Sequence, residues 1–573
     1  MGSDTIFIRE YLESLKEDSE LDYLFPILLN VMGFRIITTP KESKGQSQYG
    51  KDVIAVGKDV EGTKYRFYFE LKGYQDRDIN DKNYSATDGI RESIIEAKDT
   101  AFSDSSIPEF NHLPVKIVLV HNGLLKANIR PTFEGFISKE FEEGQFERWD
   151  IYHLTDLFGK YLFNEYLFTD DQSLRLFKKT LVLLDVPEND YRDFKQLVDL
   201  QIDKIGEIKK GRAFTKFFAT QNLLASVVLH YSEENLEAAK QCLTYLLLKT
   251  WAWILESNLD QKPSVQREFA KLISIHYKML DSYFSRSLDV AKLENGLFSE
   301  RGGPFEEVGY PLRSFEYLNY LVYFFRARLY FSSFTRDSSK AKEIMLRRKQ
   351  KDTLIELIEN NDGCSRPLMD YHSIAVLNVI LFFWQEEDLE QKDVQFVVKY
   401  LHRLVENIVI VYSTRKRFPF IGDEIGFVKN IQKTRKKGES KRQPSSLLIT
   451  ILFELAAILD FEQLHENYKE QFEGKVNLQT AYPRFNEYDI EKLLFEQHLV
   501  DEFYVETNIE LMPNLAEFKE VMSKKEIEKI DYRTNEAGFP FLRALAHAYF
   551  KNEFFVDEWR RFYSSESTEE NSN

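Results

Sequence analysis

Apolar and polar positions change rhythm several times in the first 165 residues, and each change predicts an element. Residues 49–73 read YGKDVIAVGKDVEGTKYRFYFELKG. A short apolar run at 53–56 gives way to the polar stretch 57–62. A run rich in aromatic residues follows from Tyr65 to Leu71. β-Branched and aromatic runs joined by a glycine-bounded polar turn predict a β-hairpin. Upstream, residues 19–32 have helical spacing behind a serine cap signal. Pro26 lies beyond the first turn, so that helix must start later or kink. Gly33 ends it, and residues 34–38 predict a strand. Downstream, residues 86–102 are amphipathic, with Ile90, Ile94, Ile95 and Ala97 on one face. Residues 115–120 are almost continuously apolar, as in a buried strand. Residues 149–154 predict another strand, with a helix from Leu157.

Beyond residue 165 the spacing becomes helical throughout. Helices are predicted at 189–208, 213–231, 235–255, 265–290, 313–333, 340–360, 370–384, 394–412, 447–468, 488–503 and 537–561, with polar interruptions at 294–311 and 420–446. The fold expectation is an α/β domain over residues 1–165, a large all-α region over 166–563, and a polar, disordered tail over 564–573. The aromatic stripe at 315–325 reads as helix packing.

The hairpin carries chemistry. Alternate side chains of a strand share a face, so Glu70 and Lys72 point one way and Leu71 points into the core. Asp52 opens the partner strand and lies across from them. Two converging carboxylates suit Mg2+, which takes carboxylates, waters and phosphate oxygens. Such an ion neutralises charge on a scissile phosphate and acidifies a bound water. A neighbouring lysine orients or deprotonates that water, or stabilises developing charge.

Asp52 followed by Glu70-x-Lys72 at the close of an apolar strand resembles the PD-(D/E)xK superfamily of restriction-endonuclease-like nucleases. The triad alone arises often by chance; the order of elements adds weight. Helix, strand, hairpin ending in ExK, helix, strand, helix, strand, helix resembles the core of that fold. More narrowly it resembles the Mrr-like branch, where a late strand ends in a hydrophobic–Asp–hydrophobic turn, here Leu154-Thr155-Asp156-Leu157. The resemblance covers the first 165 residues. It implies an endonuclease that hydrolyses DNA with Mg2+, or Mn2+ in its place, in prokaryotic defence against phage or other foreign DNA. It implies that Asp52 and Glu70 hold the metal and that Lys72 positions or activates the water. In such nucleases an acid on the first helix stands ahead of a Gly-Phe helix end. Glu20 precedes Gly33-Phe34 at that kind of spacing, which adds it as an assisting carboxylate. On the residues alone, Glu20 is also a helix N-terminal acid favoured by the dipole. A homo-oligomer, dimer or higher, is implied as well, because two strands need two sites.

Composition narrows the picture. A chain of 573 residues suggests about two to four domains. Two cysteines, Cys242 and Cys364, exclude a disulfide framework and a thiolate zinc site, and suit a reducing cytosol. Residues 1–20 are polar and acidic, unlike a signal peptide, and no run reaches about 20 uncharged apolar residues. A soluble, cytoplasmic protein with no membrane span is expected. The net charge of −17 excludes a generic polyanion binder. The first 165 residues hold 20 Lys and Arg against 29 Asp and Glu. Phosphate contacts supply most non-specific nucleic-acid affinity, so DNA must meet a local basic cluster, a metal or a partner. Lys41, Lys44 and Lys51, with Arg66, Lys72 and Arg77, form one candidate cluster around the hairpin. The 420–446 stretch supplies another, including Lys433, Arg435, Lys436 and Lys437, although a solvated loop has the same composition. There is no phosphate-binding G-x-x-x-x-G-K-[ST] motif, so any motor would be a separately encoded ATPase partner. The helical region is then available for sensing, oligomerisation or docking. Two other readings stay open: a non-catalytic scaffold that keeps the nuclease fold, and a nuclease directed at RNA.

Overall fold

The apolar runs of the N-terminal part extend side by side into one mixed sheet in the computed structural model of the chain. Its strands are β1 (Arg35–Thr38), β2 (Val53–Lys58), β3 (Lys64–Lys72), β4 (Val115–His121) and β5 (Phe146–Trp149), in the order β1-β2-β3-β4-β5. β1, β2 and β3 pair antiparallel, whereas β4 lies parallel to both β3 and β5. β3 is therefore central. The hairpin closes where Gly62 donates to the Asp59 carbonyl and Asp59 donates to that of Thr63. Gly62 sits at φ +86°, a conformation that suits glycine. The structure describes residues 4–560 apart from 41–48, 60–61, 105–108, 163–167, 169, 187–188, 209, 299–300, 334–338, 385–387, 435–444, 484–490, 492–493, 496–502, 510–513, 525–530 and 553–556. The predicted tail, 564–573, lies outside the described residues.

Helices cover both faces of the sheet. They are α1 (Asp4–Ser14), α2 (Asp22–Val31), the short α3 (Asp81–Tyr84), α4 (Ile90–Asp99), α5 (Arg130–Glu140) and α6 (Ile151–Tyr161). Ile54, Val56, Tyr68 and Ile117 pack with Ala97 and Phe110 on one face. Phe67 and Phe69 pack with Phe25, Phe34 and Trp149 on the other. Burying each such side chain stabilises by about 1.5–3 kcal/mol.

Two local expectations are corrected. The predicted helix 19–32 is a π-helical turn, Glu17–Leu21, running into α2. Pro26 is thus the fifth residue of α2, and only the bond to the carbonyl of the first, Asp22, is lost. The predicted strand 149–154 stops at Trp149. Asp150 accepts the N–H groups of Tyr152 and His153 at 3.1 and 3.2 Å and so caps α6. Leu154-Thr155-Asp156-Leu157 consequently lies within a helix.

The described chain divides into two compact units, Met1–Leu246 with Glu268–His276, and Leu247–Arg267 with Tyr277–Asn573. The first unit continues past the sheet through α7 (Asp171–Leu183), α8 (Arg192–Ile205) and α9 (Arg212–Tyr231), and α9 packs against α1. The rest is mainly helical, as the spacing predicts, with helices such as Tyr310–Ser333, Lys340–Asn360 and Gln391–Arg415. The predicted helix 447–468 is two, Leu447–Ile458 and Glu462–Phe472. This helical region also holds one small element of extended chain. Ser445–Ser446, Asn477–Pro483 and Phe503–Ile509 make a small three-stranded sheet. Phe503, expected to end a helix, opens a strand whose FYVETNI sequence favours extended backbone.

Inside the second unit, Lys351 is fully buried. It binds Asp388 at 3.0 Å and Asp393 at 3.2 Å, and Arg348 grips both Asp393 oxygens at 2.8 and 2.7 Å. Removing one partner of a buried ion network leaves an uncompensated charge. Lys351→Met is expected to cost about 3 kcal/mol or more, read as a lower urea midpoint; an unchanged midpoint would refute this account.

Burial pushes His276, His372 and His547 down to about 3. These rings are neutral in the folded chain but titrate near 6.5 once unfolded. Their stabilising effect is complete above that value and is lost as pH falls toward 3, by up to about 1.4 kcal/mol per pH unit for each ring. Asp370, pushed up to about 6 by burial, acts in the opposite sense between about pH 4 and 6, as do the raised Asp52 and Glu17, whereas His121, pushed down to about 4 by burial, adds to the effect of the other rings. The melting temperature is expected to fall from pH 7.5 to pH 5, and a flat profile would count against this assignment.

Candidate active site

β3 ends where its two neighbours can reach its last side chains. Asp52 stands one residue before β2 and donates its N–H to the Phe69 carbonyl at 2.9 Å. Its Oδ2 accepts the N–H of Leu71 at 2.7 Å. That backbone bond holds the Asp52 carboxylate at the end of β3, where both Glu70 and Lys72 act on it electrostatically. Strand alternation turns the latter two side chains to one face, and Lys72 Nζ meets Glu70 Oε1 at 2.8 Å. Leu71, facing the other way, is fully buried.

A third carboxylate joins them. Glu17, first residue of the π-turn, reaches Lys72 Nζ at 3.5 Å. The turn can come this close because residue 73 is glycine. A Cβ there would stand 2.4 Å from the Glu17 nitrogen and 2.8 Å from the Lys16 carbonyl carbon. The Tyr74 N–H bonds to the Leu15 carbonyl at 3.1 Å, which ties the end of β3 to the end of α1. Asn122, just past β4, donates to the carbonyls of Leu12 and Leu15 at 2.7 and 2.8 Å.

Glu20 does not enter this group. Its Oε1 pairs with Lys216 of α9 at 2.8 Å, and its Oε2 accepts the Lys16 N–H at 2.9 Å. Glu20, one of three acids in KEDSE, is expected from its spacing ahead of Gly33-Phe34. A π-turn changes which acid faces the strand. Lys216, Gly73 and Glu17 were all absent from the sequence expectation.

The electrostatics follow from crowding out of water. Burial and the neighbouring Glu70 push the Asp52 carboxyl well above its usual value. Burial, with Glu70 nearby, also raises Glu17 against the opposing pull of Lys72. Burial alone would lower the Lys72 ammonium, but Glu70, Glu17 and Asp52 together hold it above its ordinary value. Three carboxylates thus surround one ammonium, an arrangement that favours gaining either protons or a cation. A divalent ion fits that deficit. Among the described residues no group of three or more His, Cys, Asp or Glu side chains has metal-holding spacing. Mg2+ does not need one, because it usually takes one or two carboxylates and completes its shell with waters and substrate phosphates. Asp52 and Glu70 are the pair that would hold it.

His121, beside Lys72 across the β3–β4 pairing, is neutral. Burial pushes it down to about 4. Its Nδ1 lies 2.8 Å from the Arg77 carbonyl and its Nε2 lies 3.0 Å from Arg148 Nη1. The guanidinium can only donate, so Nε2 accepts and Nδ1–H donates.

Among the described residues, the basic side chains clustered near the hairpin in sequence turn to partners within the fold. Lys51 is 5% exposed. Its ammonium bonds to the Tyr49 carbonyl at 3.1 Å and lies over the Tyr68 ring, and burial lowers it to about 8. Arg66 binds the carbonyls of Leu113 and Phe102, and Arg77 binds that of Glu13. Lys41, Lys44, Arg435, Lys436 and Lys437 lie outside the described residues, and Lys433 falls in the helix Glu424–Thr434.

Gly73→Ala is expected to cost about 1–3 kcal/mol through overpacking. Gly135→Ala is the control. It lies in α5 with nothing within 4 Å of a new Cβ, and should be neutral or stabilising by about 0.5–1 kcal/mol. Equal urea midpoints for the two variants would overturn the close-approach account. Comparison with protein-family models, with curated proteins and with solved structures finds no match, so the functional reading rests on the geometry of this chain.

Proposed function

We propose that the chain is a metal-dependent nuclease of the PD-(D/E)xK kind that hydrolyses phosphodiester bonds in DNA. One observation carries the reading: Asp52, Glu70 and Glu17 crowd around Lys72 at the buried end of the central hairpin. Asp52 and Glu70 hold Mg2+, or Mn2+ in its place. The ion supplies charge neutralisation at the scissile phosphate and a more acidic water. Lys72, protonated among its carboxylates, acts as a donor that orients the attacking water and steadies charge on the phosphate oxygens. Glu17 takes the assisting role expected of Glu20, as an acceptor for a water in the same cluster. Defence against foreign DNA, a cytoplasmic setting, a homo-oligomeric state and a separately encoded ATPase partner belong to the same proposal. No helix among the described residues is long and apolar enough to cross a membrane, which is compatible with it.

A second reading has its own observation. Lys72 already satisfies Glu70 and Glu17 by direct ion pairing, as it would in a scaffold that keeps the fold without the chemistry. The variants that separate the two are Asp52→Ala and Lys72→Ala. Cleavage of plasmid and linear DNA with Mg2+ or Mn2+ is expected from the native chain and reduced by about 10²-fold or more in either variant. No cutting by the native chain, together with no rise in its melting temperature on adding Mg2+, would overturn the nuclease reading.

A further inference from the structure

The carboxylate that sequence logic would have placed in the site is used elsewhere, and its partner lies 196 residues away. Glu20 joins two things with its two oxygens. One takes the Lys216 ammonium of α9 at 2.8 Å, and the other takes the backbone N–H of Lys16 at 2.9 Å. Lys16 is the residue before Glu17, so the chain of contacts runs from α9, through Glu20, to the backbone that delivers Glu17 to Lys72.

That backbone is an unusual one. The Leu21 N–H reaches back five residues to the Lys16 carbonyl at 3.0 Å, the π pattern. Single π turns are less favourable than α turns and persist where something holds them. On one side Gly73 lets the strand end press against Lys16 and Glu17. On the other, Glu20 clamps the Lys16 N–H. The Glu20 side chain is 12% exposed, so removing the ammonium 2.8 Å away favours its turning toward water, which loosens its hold on Lys16. A turn relaxing toward α register would rotate Glu17 away from Lys72.

We infer that Lys216 is a positioning residue for the candidate site, acting through Glu20 to hold the π-turn that presents Glu17. Lys216 touches neither Asp52, Glu70 nor Lys72 in any contact described above. It gives α9, a helix outside the sheet domain expected from sequence, a direct mechanical connection to the metal-binding end of the hairpin. The inference rests on reading Asp52 and Glu70 as the Mg2+ pair, with Glu17 holding a water of the same cluster.

The test is a Mg2+ titration of the full chain by calorimetry, with urea unfolding in EDTA beside it. The variants are Lys216→Met, Lys216→Arg and Asp52→Ala. Lys216→Met is expected to weaken Mg2+ binding about tenfold, and Lys216→Arg to bind within about threefold of the native chain, because the guanidinium can still reach the carboxylate. A merely structural ion pair would lower the urea midpoint and leave Mg2+ affinity alone; that result overturns the inference while leaving the site reading intact. If the native chain binds no Mg2+, or Asp52→Ala binds as well as the native chain, the site reading fails and this inference falls with it. Should Lys216→Met not fold, Glu20→Gln serves instead. It keeps the side-chain shape and an acceptor for Lys16 but loses the charge that Lys216 holds, and native-like Mg2+ affinity in it would overturn the inference equally.

Discussion

Carboxylates held away from water around a single ammonium are the constraint on which the N-terminal unit is built. Water would separate these charges at little cost; the fold does not let it. Asp52 is fixed by a backbone bond to Leu71, Glu70 and Lys72 by the pleat of the central strand, and Glu17 by a turn pressed against Gly73. Each support comes from a different stretch of chain, and each depends on β3 being hydrogen-bonded on both sides. An edge strand could not keep its last three residues so still. The aromatic layer beneath, Phe67 and Phe69 against Phe25, Phe34 and Trp149, supplies the apolar burial that offsets crowding like charges. Stability is spent here on keeping a negative site ready for a cation.

Some of this was legible before any coordinates. Period-two alternation is a property of the strand itself, so Glu70 and Lys72 on one face with Leu71 beneath could be read directly. The hairpin's glycine-bounded turn gave the antiparallel partner and therefore Asp52. Glu17 was not legible, because choosing between Glu17 and Glu20 requires knowing that the turn is π rather than α. That choice is made by groups far away in sequence, Gly73 and Lys216. The strand end at Trp149 was misread for a local reason. Asp150 looks like a polar interruption of an apolar run, yet it acts as a cap, and a cap ends one element by starting the next.

The second unit shows the same limit in another form. Its helices follow the apolar spacing closely, because spacing is what buries a helix. The groups that lock them together are polar and non-local. Lys351 joins Asp388 and Asp393, Asp370 caps the helix Leu447–Ile458 through Ser446 and the Leu447 and Leu448 amides, and Glu454 holds Trp559 and Arg560. Read along the sequence, each of these is one more charged residue on a helix. The small sheet was missed because one of its strands, Ser445–Ser446, is two residues long and carries no periodicity at all.

Charge explains why the site and the surface must be considered together. Among the described residues, the cations that cluster near the hairpin in sequence have partners inside the fold. Lys51, Arg66 and Arg77 bind backbone carbonyls, and Lys72 binds carboxylates. A cation committed to a buried carbonyl contributes little to a phosphate outside. The sheet domain therefore carries a surplus of acids, with Lys51, Arg66, Arg77 and Lys72 already engaged. On the proposed reading, a substrate phosphate would gain from an ion held by Asp52 and Glu70, because the ion would turn a negative cluster into an attractive one. If the site binds both as proposed, metal binding and nucleic-acid binding there are coupled: each raises the affinity for the other by the same factor. The same acidic surplus that argues against DNA when the protein is read by net charge alone becomes, once the ion is in place, a reason for binding to depend on it.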